Sequence, residues 1–269
     1  MIAALAERGV EASPAVWDDE TVDWEAFDLV VVRSTWDYPH RREQFLAWAE
    51  SLPAVLNPPE VLRWNTDKRY LQELGDDAVP TAFLEPGEPF DAPDSAFVVK
   101  PAVGVGSIGA ARYEAGDSRA AAHAAALHAG GKTVMVQPYL EAVDSEGETA
   151  LIYVAGAFSH AVHKGPLLVA GAEPGSGLYL EETIRETQAR RDELEVAERV
   201  LDAAPFARDQ LLYARVDLLP GPRVLEVELT EPSLFVGYAD GAAERFADAI
   251  AAASQRRRMS AENGPTTSQ

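Results

Sequence analysis

Two carboxylates stand at i and i+2 in Leu225-Glu226-Val227-Glu228-Leu229, so on a strand both project from one face while apolar residues take the other. Upstream, Arg215-Val216-Asp217-Leu218 connects to this run through Pro220-Gly221-Pro222, a hairpin signal. Asp217 lies three residues before Pro220 and Glu226 four after Pro222, which makes them near cross-strand neighbours. Three carboxylates on one sheet face repel one another unless cations sit between them. Hard oxygen donors of this kind suit Mg²⁺, above all when phosphate oxygens complete the shell. A solvated acidic face is the other reading, in a chain of net charge −21.

A second constellation precedes it. Gly104-Val105-Gly106-Ser107-Ile108-Gly109 fits GxGxxG, but the dinucleotide reading needs the last glycine to open a helix. Here Ala110-Ala111-Arg112-Tyr113-Glu114 reads as a strand, and a P-loop is excluded because no Lys-Ser/Thr follows. What remains is either an ordinary turn or a glycine flap between two strands, whose N–H groups can close over phosphates. Lys100 ends the apolar run Phe97-Val98-Val99-Lys100 just before the loop. Either its stem snorkels to water, or its charge meets an anion such as a nucleotide phosphate.

These residues need a frame of strands and helices. Asp28-Leu29-Val30-Val31-Val32-Arg33 reads as a buried parallel strand, and Phe45, Trp48, Ala49 and Leu52 recur at the spacing of a one-faced helix. This amino-terminal unit, residues 1–57, is α/β, yet no strand precedes its first short helix at 3–8. Asn57-Pro58-Pro59 marks a break, and Asn65-Thr66-Asp67-Lys68 reads as the capped start of a helix carrying Tyr70, Leu71 and Leu74. From Pro80 the chain is rich in short strands, at 81–84, 97–100, 110–114, 133–137, 148–155 and 157–163, with a helix at 118–129. A glycine-rich stretch, Gly165 to Gly177, reads as a mobile loop, followed by a helix over 186–203. Strands at 211–219 and 223–229 form the acidic hairpin. Phe246, Ala249, Ile250 and Ala253 give a last helix, and a polar, disordered tail is expected over 254–269.

Composition narrows the function classes. Of the 23 basic residues only four are lysine (Lys68, Lys100, Lys132 and Lys164), against 44 acidic residues. The negative balance argues against nucleic acid and anionic membrane surfaces as partners. Without cysteine there is no disulfide, thiolate metal site or cysteine nucleophile. The absence of a spanning apolar run or a signal-peptide pattern leads to the expectation of a cytoplasmic protein. His160 and His163, three apart on a strand, point to opposite faces and make a poor metal pair; Trp17, Trp24 and Trp48 read as core.

In order, these elements resemble the ATP-grasp superfamily, and within it the glutathione-synthetase and RimK-like ligases, over residues 57–253. The resemblance implies an α/β protein, α+β in its nucleotide-binding lobes, with a shortened amino-terminal α/β domain ahead of an ATP-grasp domain at 58–253. That domain divides into a nucleotide lobe near 80–138 and a metal and substrate lobe near 139–253. It also implies roles. Lys68 and Lys100 match the two lysines directed at nucleotide phosphates, with Gly104, Gly106, Ser107 and Gly109 as the flap. Gln137-Pro138-Tyr139-Leu140 looks like the linker whose backbone reads adenine, and Glu148 like the acid that holds the ribose. Lys164 before Pro166 resembles the basic residue facing the terminal phosphate. Asp217, Glu226 and Glu228 fall on the Mg²⁺ positions, although many relatives have asparagine where Glu228 stands. Arg33-Ser34-Thr35-Trp36-Asp37-Tyr38 and the run from Leu225 through Ser233 look most like a subgroup that includes the cyclo-ligase forming D-cycloserine from O-ureido-D-serine.

The implied reaction is ADP-forming ligation of a carboxylate to an amine through an acyl phosphate, with ATP and Mg²⁺ (two ions, Mn²⁺ as a substitute). The partners are small-molecule carboxylate and amine substrates, with a homo-oligomer as one possible assembly. Arg215 is the candidate for stabilising the acyl-phosphate oxygens, and Arg33, Thr230 and Ser233 are candidates for holding substrate. The flap and the loop at 165–180 are candidate lids over a water-sensitive intermediate. The alternatives are a non-catalytic ATP-binding regulatory module, which usually loses its metal carboxylates, and an ATP-grasp phosphotransferase.

Overall fold

The computed structural model of the chain describes residues 1–168, 171, 172, 174 and 183–262. Its strands are β1 (Val30–Val31), β2 (Val55–Leu56), β3 (Ala82–Leu84), β4 (Phe97–Pro101), β5 (Ala111–Tyr113), β6 (Val134–Pro138), β7 (Glu148–Val154), β8 (Ala157–Lys164), β9 (Ile184–Thr187), β10 (Tyr213–Leu219) and β11 (Arg223–Glu228). The α-helices are α1 (Ile2–Ala6), α2 (Arg42–Ser51), α3 (Pro59–Asn65), α4 (Arg119–Ala129), α5 (Val143–Glu146), α6 (Arg191–Ala203) and α7 (Ala242–Glu262).

The largest layer is an antiparallel sheet in the order β11-β10-β7-β8-β9, covered on both faces. That is why β7 reads as a continuous apolar run rather than an alternating one. Leu151 and Tyr153 pack with Val196, Ala197, Val200 and Leu201 of α6, whereas Ala150, Ile152 and Val154 pack with Phe246, Ala247 and Ile250 of α7 and Leu5 of α1. A second antiparallel sheet, β3-β6-β4-β5, buries Phe97, Val99, Ala111 and Tyr113 against Ala120, Ala124 and Leu127 of α4. Strand alternation then turns Val98 and Lys100 to the opposite face.

The first strand is shorter than expected. Only Val30 and Val31 of the apolar run pair, in parallel with Val55 and Leu56. The strand stops because Ser34 takes a positive φ of 52° and turns the chain. Trp17, Phe45 and Trp48 pack ring against ring with Trp24, as a core should.

Two boundaries differ from the sequence expectation. Residues 184–187 add strand β9 to the sheet edge, paired to Ala161–Lys164, so α6 begins at Arg191 rather than at 186. At the other end α7 runs on to Glu262, in place of a disordered tail from 254. Its last turns are held: Ser254 is buried, Arg257 donates to the Pro53 carbonyl and Arg258 pairs with Asp28 at 2.7 Å. Charge on a polar helix tail found partners that no local pattern reveals.

One tie positions the acidic hairpin. β11 is the sheet's edge strand, and its outward backbone groups are taken up by side chains from the segment before it in sequence. Val227 N–H donates to the Tyr70 hydroxyl (2.9 Å), which donates back to Val227 O (2.8 Å). Asn65 donates to Val227 O and accepts from Leu229 N–H, and Asn57 donates to the Leu229 and Tyr213 carbonyls. Tyr70→Phe keeps the ring and strands a buried N–H. An unsatisfied buried group costs about 1–3 kcal/mol, so the urea midpoint should fall accordingly at unchanged slope. An unchanged midpoint would show that this edge is held by packing alone.

Candidate active site

The charged half of the large sheet lies where α7 no longer covers it. There Asp217 pairs across the hairpin with Glu226, and Arg215 with Glu228, as the spacing from the two prolines predicts. These residues form one wall of a cavity of about 630 Å³, within the range of small-ligand sites. The roof is the turn between β4 and β5, where Gly104, Gly106 and Ser107 line the cavity. Gly106, Ser107 and Gly109 all take positive φ, and Ile108 N–H to Val105 O and Ala110 N–H to Ser107 O close the turn. Gly109 belongs to the turn's hinge rather than to the lining; a Cβ there would sit 3.4 Å from Pro101.

The carboxylates are neutralised from three directions. Arg215 grips Asp217 with Nε and Nη2 (2.8 and 3.0 Å), reaches Glu228 Oε1 at 2.5 Å and donates to the Ser233 carbonyl. Lys164, from β8, bridges Asp217 (2.8 Å) and Glu148 (2.9 Å), its cross-strand partner on β7. Lys68 lies 2.9 Å from Glu226 and donates to Gly104 O at 2.7 Å, tying the flap to the hairpin. Asp67 caps the Lys68–Asp77 helical stretch through Arg69 N–H, which sets the lysine's direction.

Protonation follows these contacts. Burial raises the Asp217 carboxyl, but Arg215 and Lys164 outweigh it and hold the group at about 2. Burial pushes Glu228 up to about 7, with Glu226 and Asp217 adding repulsion that Arg215 only partly offsets. Glu231 rises to about 8 through burial and the Glu228 charge. Burial lowers Lys68, but Glu226 reverses the direction and keeps it charged. Lys100 is lowered to about 8 by burial, the pull of Glu226 being countered by Lys68 and Lys164. Among the described residues no hydrogen bond or ion pair reaches Lys100, a cation on the cavity wall.

A second, smaller apolar slot adjoins the cavity and shares Lys100, Glu148, Leu167 and Leu225 with it. Gln137, Tyr139 and Leu140 line this slot, so the linker and the ribose candidate meet in one place. The Tyr139 N–H is spent on Ala96 O and the Gln137 side chain on Thr81, which leaves other linker groups for recognition.

Two substrate candidates fall elsewhere. Arg33 does not line the cavity: its guanidinium stacks over the rings of Tyr213 (5.3 Å) and Phe246 (5.8 Å), because the chain turns away at Ser34. Thr230 is buried and its hydroxyl donates to Asn65 Oδ1, so it belongs to the edge tie. Ser233 does line the cavity. Sequence reasoning missed Glu231, Trp36, Tyr38 and Phe235 on the same wall. An acid directly before Pro232, beyond the end of the strand pattern, was the available signal for Glu231. The candidate lid at 165–180 falls largely outside the described residues.

A glycine flap, convergent lysines and an acidic hairpin between two antiparallel sheets define an ATP-grasp C–N ligase. The chain shares that fold with D-alanine–D-alanine ligase from Bacillus anthracis (16% identity, TM-score 0.64, 96% of this chain and 91% of that one). It shares it also with the ATP-grasp ligase PsnB solved with its minimal precursor (20%, TM-score 0.57, 94% and 93%). Residues 1–57 match the family model described as D-cycloserine synthetase DcsG, N-terminal domain. The cycloserine biosynthesis protein DcsG of Streptomyces lavendulae is 38% identical over 93% of this chain and 91% of its own length. A crystal structure of D-cycloserine synthetase DcsG superposes with a TM-score of 0.82 (34% identity, 94% and 93% covered). The chain belongs to the DcsG family.

Burial of Lys100 yields a testable stability signature. Its ionisation is lowered from 10.5 to about 8, so the charged form destabilises the fold fully below pH 8 and progressively less as pH rises toward 10.5. Lys100→Met should therefore raise the unfolding free energy at pH 7 by about 1–3 kcal/mol, the gain shrinking between pH 8 and 10. A gain that does not change with pH would place its cause elsewhere.

Proposed function

We propose that this enzyme joins a carboxylate to an amine on a small amino-acid-like substrate through an acyl phosphate, using Mg²⁺-ATP and releasing ADP and phosphate. The observation that carries this reading is Lys100, a half-buried lysine that no hydrogen bond or ion pair reaches among the described residues, held in one cavity with two further lysines and three carboxylates under a glycine flap. A triphosphate supplies the anion this wall lacks. Its adenine fits the apolar slot at Gln137–Leu140, with Glu148 at the junction where the ribose would lie. The relationship to the cycloserine biosynthesis protein supports a substrate of amino-acid size, and O-ureido-D-serine is the first compound to test.

The donor set fits a hard divalent cation. Asp217, Glu226 and Glu228 offer oxygen only, from adjacent positions on two paired strands. Among the described residues no three such groups converge as a ready-made cluster, because Lys68 and Arg215 occupy their oxygens. Lys68, Arg215 and also Lys164, which holds Asp217, must release the carboxylates for Mg²⁺ to be held, and all three then become available to phosphate oxygens. Bound there, one or two Mg²⁺ ions would offset charge on the β- and γ-phosphates.

The protein's own part is positional and electrostatic. A substrate carboxylate oxygen attacks the γ-phosphorus as ADP leaves, while Lys100 and Lys164 hold the transferred group's oxygens. An amine then adds to the acyl carbon and expels phosphate, with Arg215 placed to stabilise the developing oxyanion. Arg215 stays charged throughout, since Asp217 and Glu228 raise its ionisation against the effect of burial. The flap keeps water from the acyl phosphate.

ADP and phosphate release across carboxylate and amine pairs, with hydroxylamine as a trap for the acyl phosphate, tests the reading. Wild-type protein should form ADP and a hydroxamate. Glu226→Gln should lose about 100-fold or more in turnover, the scale of removing one preorganised charge contact. Lys100→Met should weaken nucleotide binding at least about tenfold. Protein that binds Mg²⁺-ATP yet releases no more ADP than Glu226→Gln with every pair is not a ligase of this kind. Phosphorylated product without amine incorporation would instead indicate a phosphotransferase.

A further inference from the structure

Glu231 lies three residues beyond β11, is 7% exposed and lines the cavity, yet among the described residues no hydrogen bond or ion pair reaches its carboxylate. The segment is fixed on both sides: Thr230 is anchored to Asn65, and the Ser233 carbonyl accepts from Arg215. The carboxylate is thus held in place rather than loosely exposed.

None of the nearby cations pairs with it. Lys68 is on Glu226 and the Gly104 carbonyl and Arg215 on Asp217 and Glu228, while Arg33, whose Nη1 is buried without a hydrogen-bond partner, lies over Tyr213 and Phe246 and acts on Glu231 only through space. Glu226 and Glu228 add further negative potential at this end of the wall. A buried carboxylate in such surroundings is costly unless a cation arrives. Trp36, Tyr38 and Phe235 line the same cavity. An unpaired carboxylate in a cavity with aromatic lining suits an organic ammonium better than a strongly hydrated metal ion.

We propose that Glu231 receives the protonated amino group of the substrate and so makes the enzyme select amino acids over carboxylic acids without a free amine. This deepens the ligase reading of the same cavity and rests on it. It has a chemical corollary. An ammonium paired with Glu231 has no lone pair to offer, so the nitrogen that attacks the acyl phosphate is a different one, on the same molecule or on a second.

Binding distinguishes this proposal from ligation, because it needs no turnover. Calorimetry on the full chain loaded with Mg²⁺ and a non-hydrolysable ATP analogue would use O-ureido-D-serine, D-serine and D-alanine. Each is paired with the same acid carrying hydrogen in place of the amino group. Wild-type protein should bind at least one amino acid about 10- to 100-fold more tightly than its amino-less partner. Glu231→Gln should abolish that ratio while leaving affinity for the amino-less acid and the nucleotide unchanged, and Glu231→Asp should restore part of it. The melting temperature of Glu231→Gln should not fall, since among the described residues no hydrogen bond or ion pair to this side chain is lost. An equal ratio in wild type and Glu231→Gln, no preference for the amino group in wild type, or no binding of any amino acid at millimolar concentration would each overturn the proposal. Amino-acid selectivity without ADP release would sink the ligation reading alone; ADP release without that selectivity would sink this one alone.

Discussion

Like-charge repulsion on one face of one hairpin organises this protein. Asp217, Glu226 and Glu228 lie within two strand positions of one another, and a pair of such charges 4 Å apart repels by about 4 kcal/mol at an effective dielectric of 20. The fold answers with cations from three separate elements: Arg215 from the hairpin itself, Lys164 from β8 and Lys68 from the helical stretch after α3. Because Lys68 also binds the Gly104 carbonyl, neutralising the hairpin and holding the flap are one act. Whatever draws Lys68 away from Glu226 acts at the same time on the roof of the cavity. The burial of these pairs adds little net stability, since desolvation offsets their attraction. Their effect is to bring six charged groups together along one cavity.

The sequence carried the parts of this arrangement that are local. The hairpin register follows from the two prolines and the alternation of carboxylate with Val227 and Leu225, and the flap follows from glycines between two apolar runs. Scarcity of lysine was the strongest compositional clue: Lys68, Lys100 and Lys164 all line the cavity. What could not be read was set by distant contacts. Arg33 sits at the end of an apolar run, as a ligand residue would, but a positive φ at Ser34 sends its side chain onto aromatic rings. Thr230 has the right chemistry for a substrate contact and is consumed by Asn65. Strand β9 is four residues long and three of them are polar, and only Ala161–Lys164 beside it makes it a strand. The last turns of α7 exist because Pro53 and Asp28 lie within reach of Arg257 and Arg258.

The amino-terminal unit has a structural part in the site beyond any contact with a ligand. Asn57, Asn65 and Tyr70 span the junction between it and the lobes that follow, and together they satisfy the backbone of Val227 and Leu229. Trp36 and Tyr38 from the same unit line the cavity. Cavity lining and hairpin placement are therefore encoded partly in the same stretch of chain.

The edge position of β11 has one more consequence. An outermost strand normally offers a row of open amides and carbonyls on which another chain can grow as a further strand. Here the row is already occupied, by a phenol and two carboxamides and, farther along, by Val79 N–H on the Val224 carbonyl. The strand that bears the most concentrated negative charge is thus closed to intermolecular pairing. Crowding, concentration or partial unfolding elsewhere cannot recruit it as a template without first tearing out those side chains.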